Sequence, residues 1–212
     1  MNHSIFDDGG RLDNTGIAST LAYSDVQNVI AFINSETPLT KDSNSVIVVD
    51  QMIPPLFGYQ PYDETVGYVL YTNPLVKPDN ASYANNQVFA SSDFQALLDG
   101  LWAASGSGTY QNSPIFSQSL TTLANSWFGV AANQPVKVLW VYLENTLSWS
   151  KELSSESSNE ESAIESGLVT TMNFPHYSTV DTELTATEIQ LLANLAAWTV
   201  INNAATFLSL YA

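Results

Sequence analysis

Val136-Lys137-Val138-Leu139-Trp140-Val141-Tyr142-Leu143-Glu144 is the stretch on which the fold turns. β-Branched and aromatic residues fill it, and both of its alternating faces are apolar. That pattern predicts a central strand covered on two sides. Working outward, Val26 to Ile33, Ser45 to Asp50 (SVIVVD) and Val66 to Thr72 (VGYVLYT) predict further strands. A short helix is expected over Thr15 to Tyr23, with Ile17 and Leu21 on one face. Three more helices carry start signals. Ser92 with Gln95 forms a capping box ahead of Phe94, Leu97, Leu98, Leu101 and Trp102, and Gly106 is the expected stop. Ser113-Pro114 opens the next, with Phe116, Leu120, Leu123, Ala124 and Trp127 as its buried stripe. Thr185 with Glu188 opens the last, with Leu184 and Ile189 at staple positions and Leu192, Leu195 and Thr199 following.

Strands alternating with helices predict an α/β fold, a layered sheet with flanking helices. Residues 1–212 are read as one domain or part of one, with a Ser/Glu-rich surface insertion at 150–166. Met52 to Tyr59 (MIPPLFGY) holds two prolines and a glycine and is expected to be an irregular apolar loop. It would be either a wall of a lipid pocket or a loop packed on its own domain.

Composition narrows the function classes. The 212 residues include 21 acidic against 5 basic side chains, a formal charge of -16. Phosphate binding needs clustered Lys or Arg, so nucleic acid is excluded as a partner. Strongly anionic membranes should repel the chain, which leaves peripheral contact with neutral or zwitterionic lipid surfaces open. Cysteine is absent, so there is no disulfide framework and no thiolate chemistry. The longest apolar run, Val138 to Leu143, is far too short to span a bilayer, and no signal peptide is visible. A cytoplasmic location is the expectation. Sequons at Asn2 and Asn80 would matter only in a secreted protein.

Chemistry concentrates near the start, in Phe6-Asp7-Asp8-Gly9-Gly10-Arg11-Leu12-Asp13-Asn14-Thr15-Gly16-Ile17. An apolar lead-in followed by Asp-Gly-Gly places a carboxylate at the end of a strand, and the glycines then allow a tight turn. A carboxylate held at a sheet rim is well placed to act as a general base.

Asp8-Gly9-Gly10, followed by Asp13-Asn14 and Gly16-Ile17, resembles the Asp-Gly-Gly motif of the patatin-like and cytosolic phospholipase A superfamily of acyl hydrolases. Phe174-Pro175-His176-Tyr177-Ser178-Thr179 and the helix ending in Asn202-Asn203 are similar to the terminal segment of the cytosolic phospholipase A catalytic domain. The resemblance implies the C-terminal half of such a domain. It implies a Ser–Asp dyad acting on lipid esters without a cofactor, with Asp8 as the dyad carboxylate and Gly9, Gly10, Asn14 and Gly16 supporting the motif. The family's nucleophile sits in Gly-x-Ser-x-Gly, which occurs nowhere here; Ser105-Gly106-Ser107-Gly108 has the wrong spacing. The expectation is therefore a chain inactive alone: part of a longer chain whose nucleophile half lies upstream, one part of a split enzyme whose other chain holds the serine, or a relic without activity. Such a part would expose apolar sheet surface and would aggregate, form a homo-oligomer or need its partner.

Other readings stay open beside it. Asp7, Asp8 and Asp13 could bind calcium, although the EF-hand spacing is missing. His3 and His176 are too few for zinc unless carboxylates supply the other ligands, and His176 is read as a satisfied core or turn histidine. Gly106-Ser107-Gly108-Thr109 lacks the lysine of a phosphate loop. A non-catalytic α/β binding or interaction module derived from the same fold is the alternative function.

Overall fold

The computed structural model describes residues 13, 15–74, 81–156, 173–178 and 183–211. It is a mixed α/β structure with a small sheet and flanking helices. The helices are α1 (Ile17–Thr20), α2 (Ile53–Leu56), α3 (Phe94–Ala104), α4 (Leu147–Glu156), α5 (Ala186–Asn202) and α6 (Ala204–Leu208). The strands are β1 (Asn28–Ile33), β2 (Thr40–Lys41), β3 (Ile47–Val48), β4 (Ile115–Thr121) and β5 (Pro135–Tyr142).

The main sheet has the order β1-β5-β4, so the strand expected to be central is central. Lys137 donates its amide to the Gln27 carbonyl and Leu143 to that of Ile33, an advance in the same direction that makes β1 and β5 parallel. Thr122 donates to Gln134, whereas Tyr142 donates to Pro114, so β4 runs antiparallel to β5. Val138 to Tyr142 are fully buried, as a strand apolar on both faces requires. β2 and β3 form a separate antiparallel pair with Thr40 opposite Val48.

Several sequence expectations fail. Ser113 to Trp127 was expected as a helix, yet Ile115–Thr121 is strand, with Gln118 and Leu120 buried and Ser117, Ser119 and Thr121 exposed. That alternation has a period of two, and the ladder to β5 decides it. Met52 to Tyr59 is not irregular throughout. Ile53–Leu56 makes one helical turn with proline at the first positions, where a missing amide costs nothing. Val66 to Thr72 makes only isolated bridges, Tyr59 to Leu70 and Asp63 to Gly67. Of Ser45 to Asp50 only Ile47–Val48 is strand. The Ser/Glu-rich stretch is also divided: Ser150 to Glu156 belongs to α4, and 157–166 lies outside the described residues.

The chain forms two compact units. The first comprises Met1–Val29, Gln51–Gln95 and Ser119–Lys137. Its core gathers aromatic rings around Phe94, with Phe57 at 5.4 Å, Tyr59 at 5.1 Å and Tyr68 edge-on at 4.9 Å. Here α2 is wholly buried, so the proline-bearing segment packs on its own unit. Its Leu56 carbonyl accepts the amides of Val88 and Phe89.

The second unit comprises Ile30–Asp50, Ala96–Gln118 and Val138–Ala212. Leu139, Val141 and Leu143 pack with Phe207 and Leu210, while Trp149, Leu153 and Phe174 pack with Leu191 and Leu195 of α5. The expected capping box forms: Thr185 Oγ1 accepts the Glu188 amide at 3.3 Å, and Glu188 Oε2 accepts the Thr185 amide at 2.5 Å. Ile189 is 55% exposed, so the expected staple does not form. Gly100 of α3 is needed for close approach, because a Cβ there would lie 2.4 Å from the Phe116 ring.

Candidate functional site

Of the five residues singled out from the Asp-Gly-Gly segment, Asp8, Gly9, Gly10 and Asn14 lie outside the described residues. Gly16 is described. It caps α1 at φ 67°, a left-handed conformation open to glycine at no steric cost, and a Cβ there would meet nothing within 4 Å. Its role is therefore conformational. Asp13, one of the three carboxylates considered for calcium, is buried and already occupied. Oδ1 accepts the Thr15 amide at 3.1 Å and the Thr15 hydroxyl at 2.5 Å, and Oδ2 accepts the Ala18 amide at 2.9 Å. A carboxylate so engaged fixes the start of α1. Among the described residues no three His, Asp or Glu side chains are grouped to hold a metal ion.

The densest polar chemistry lies in the second unit, where β5 ends. Glu144 follows the apolar strand and is only 5% exposed. Its Oε1 accepts the Leu39 amide at 2.6 Å, and its Oε2 lies 2.9 Å from His176 Nε2. The other ring nitrogen of His176, Nδ1, lies 2.8 Å from the Ser35 carbonyl oxygen. The Ser35 hydroxyl donates to Asp50 and accepts the Thr37 amide. The Tyr142 hydroxyl accepts the Asp50 amide at 3.0 Å and donates to the Thr37 carbonyl at 2.5 Å. The Tyr110 hydroxyl donates to the Leu39 carbonyl.

Burial, with Asp50 and Glu144 nearby, drives the Tyr142 phenol well above its ordinary value. Burial, with Glu144, pushes Tyr110 up to about 12. Both tyrosines therefore stay protonated and act as donors across the physiological range.

Ser35 with Asp50 is a hydroxyl–carboxylate pair, and His176 with Glu144 is an imidazole–carboxylate pair. They do not combine into a catalytic triad. Both ring nitrogens of His176 are engaged, one by the Ser35 main chain and not by its hydroxyl, and Ser35 is 3% exposed. The arrangement ties the segment after β1, the end of β5 and the turn at Asn173–Ser178 into one network. The expectation of a satisfied histidine at 176 holds. Ser35 and Asp50 escaped sequence reading. The available signal was Glu144, since a carboxylate closing a doubly covered strand must find partners.

A groove of about 190 Å3 opens between α4 and α5, lined by Trp149, Leu153, Asn194 and Trp198. Its rings are fixed by hydrogen bonds, Trp149 Nε1 to Asn194 at 2.8 Å and Trp198 Nε1 to Glu152 at 2.7 Å. Ligand sites usually enclose ~300–1,000 Å3, so this groove is small for one. Among the described residues no helix is long and apolar enough to cross a membrane.

No family model matches this chain, and no curated protein or solved structure does either.

Proposed function

We propose that this chain is the aspartate-bearing part of a Ser–Asp lipid acyl hydrolase that cleaves carboxylic esters of phospholipids or lysophospholipids. The carrying observation is the segment Asp8-Gly9-Gly10 with Asp13-Asn14 and Gly16-Ile17. Its support is the order of the next two elements along the chain, a Gly16-capped helix and then a strand parallel to the central one. In this reading the fold is the C-terminal half of a patatin-like domain. Gly9, Gly10, Asn14 and Gly16 support the motif around the base. The serine comes from polypeptide outside these 212 residues, which contain no Gly-x-Ser-x-Gly.

Asp8 accepts the serine proton as Oγ attacks the ester carbonyl, then gives that proton to the departing alkoxide. Water attacks the resulting acyl-enzyme, giving its proton to Asp8, and the serine recovers its proton as the fatty acid leaves. No metal or cofactor enters these steps.

The test is fatty-acid release from zwitterionic phospholipid micelles by this chain together with the polypeptide that supplies the serine. Asp8→Asn should lower turnover by at least about a thousandfold and leave the urea midpoint within error. Undiminished turnover in that variant rejects the role.

A second reading, a non-catalytic interaction module, has its own supporting observation. Along α5 and α6, Ile189, Val200, Ile201 and Leu208 are exposed.

A further inference from the structure

The geometry points to a site for a quaternary ammonium cation in the groove between α4 and α5. Buried Trp149 and half-buried Trp198 both line it. Each ring is pinned through its edge, Trp149 Nε1 to Asn194 at 2.8 Å and Trp198 Nε1 to Glu152 at 2.7 Å. Phe174 stacks on Trp149 with ring centroids 5.4 Å apart, so Trp198 is the ring that an entering group meets. An indole face is the aromatic surface that attracts cations most strongly.

Charge selects the sign of the ligand. Glu152 is the one charged group among the described residues that line the groove, and Lys151, its neighbour on α4, does not line it. No side chain from Ile189 to Ala212 is charged, so α5 brings no competing cation.

Hydrogen-bond supply selects the kind of cation. A primary ammonium or a metal ion calls for several oxygen partners. The described lining offers the carboxylate of Glu152 and Oδ1 of Asn194, and each already accepts an indole N–H. A quaternary ammonium donates nothing. It needs the charge of Glu152 but no vacant lone pair, and apolar surface that Trp198, Leu153, Ala197 and Ile201 supply. Size agrees with this choice. About 190 Å3 holds roughly six water-sized groups at ~30 Å3 each, enough for a trimethylammonium head and too little for a nucleotide. The site owes nothing to Asp8, so it stands or falls apart from the ester chemistry.

Choline chloride is the probe, titrated into the full chain while the indole N–H signals are followed by nitrogen NMR. Trp198→Phe, which lacks that N–H, assigns the resonance. The Trp198 signal should shift saturably at millimolar choline and stay in place with sodium chloride at equal ionic strength. Dimethylbutanol, the neutral isostere in which carbon replaces the nitrogen, should bind at least about tenfold more weakly. Glu152→Gln keeps an oxygen for the Trp198 N–H and removes only the charge from an exposed position. It should weaken choline about fivefold. No shift with choline, equal affinity for its neutral isostere, or undiminished affinity in Glu152→Gln overturns the proposal. Phosphatidylcholine vesicles separate two sources of the same group. A shift with vesicles as well as with choline assigns a lipid head group, and a shift with choline alone assigns a free small molecule.

Discussion

Asp13 and Glu144 are both buried carboxylates with every bond satisfied from within the chain, yet they are satisfied in opposite ways. Asp13 bonds residues two and five positions ahead. Glu144 bonds an amide 105 residues behind and a ring 32 residues ahead. The first is local capping chemistry that needs only a helix beginning at the right place. The second exists only after three distant segments have come together. A local carboxylate stabilises its own turn and little else. A distant one makes the packing of several segments conditional on its charge and shape.

Removing the distant carboxylate is the strongest way to break this contrast. Glu144→Ala leaves the Leu39 amide and His176 Nε2 without partners inside the second unit. Breaking a buried pair in this way costs about 3–5 kcal/mol. Urea unfolding followed by tryptophan fluorescence should show that loss. A cost below about 1 kcal/mol would mean that the network is solvated and that the contrast is false.

Asp13→Ala should cost less, about 1–2 kcal/mol, because it removes a cap and frees two amides at the start of a four-residue helix. The amide of Ala18 should exchange faster while that of Leu39 does not change. Loss of protection at Leu39 in this variant would show that the first carboxylate is not local in its effect.

The same division explains what could be read from the sequence. β5, α3 and α5 were legible because the apolar pattern marks each segment, and in α5 the start signal agrees with it. Thr185 and Glu188 announce α5, and doubly apolar Val138 to Tyr142 announces the central strand. β4 was not, because Phe116, Leu120, Leu123 and Trp127 recur at three- and four-residue spacing that imitates a helix. Only pairing with β5 shows that Gln118 and Leu120 face inward together. Val66 to Thr72 failed the other way: its residues suit a strand, but apart from isolated bridges it found no partner ladder. At the candidate site, His176 was legible as a satisfied histidine and Glu144 as a carboxylate that must find partners, but which residues those partners are, Ser35 among them, was not. Nothing local to either residue records a contact 141 or 32 positions distant.

Glu188 offers the finest adjustment to the comparison, since it is a second carboxylate with local partners. The Thr185 hydroxyl and amide, in that order, hold its carboxyl below the ordinary value. A carboxylate whose value is depressed by folding contributes stability that is fully present above its unfolded value, near pH ~4.3, and is lost as pH falls through the folded value. Thr185→Ala removes the threonine hydroxyl from the capping box and should cost about 1 kcal/mol at pH 7. Below about pH 4 the wild-type chain loses part of the same contribution, so the gap between wild type and variant should narrow. Thermal unfolding of both chains at pH 7 and pH 3 measures that gap. If it stays constant, the box acts through the hydroxyl alone, and Glu188 behaves unlike the charge-bearing cap that the comparison requires.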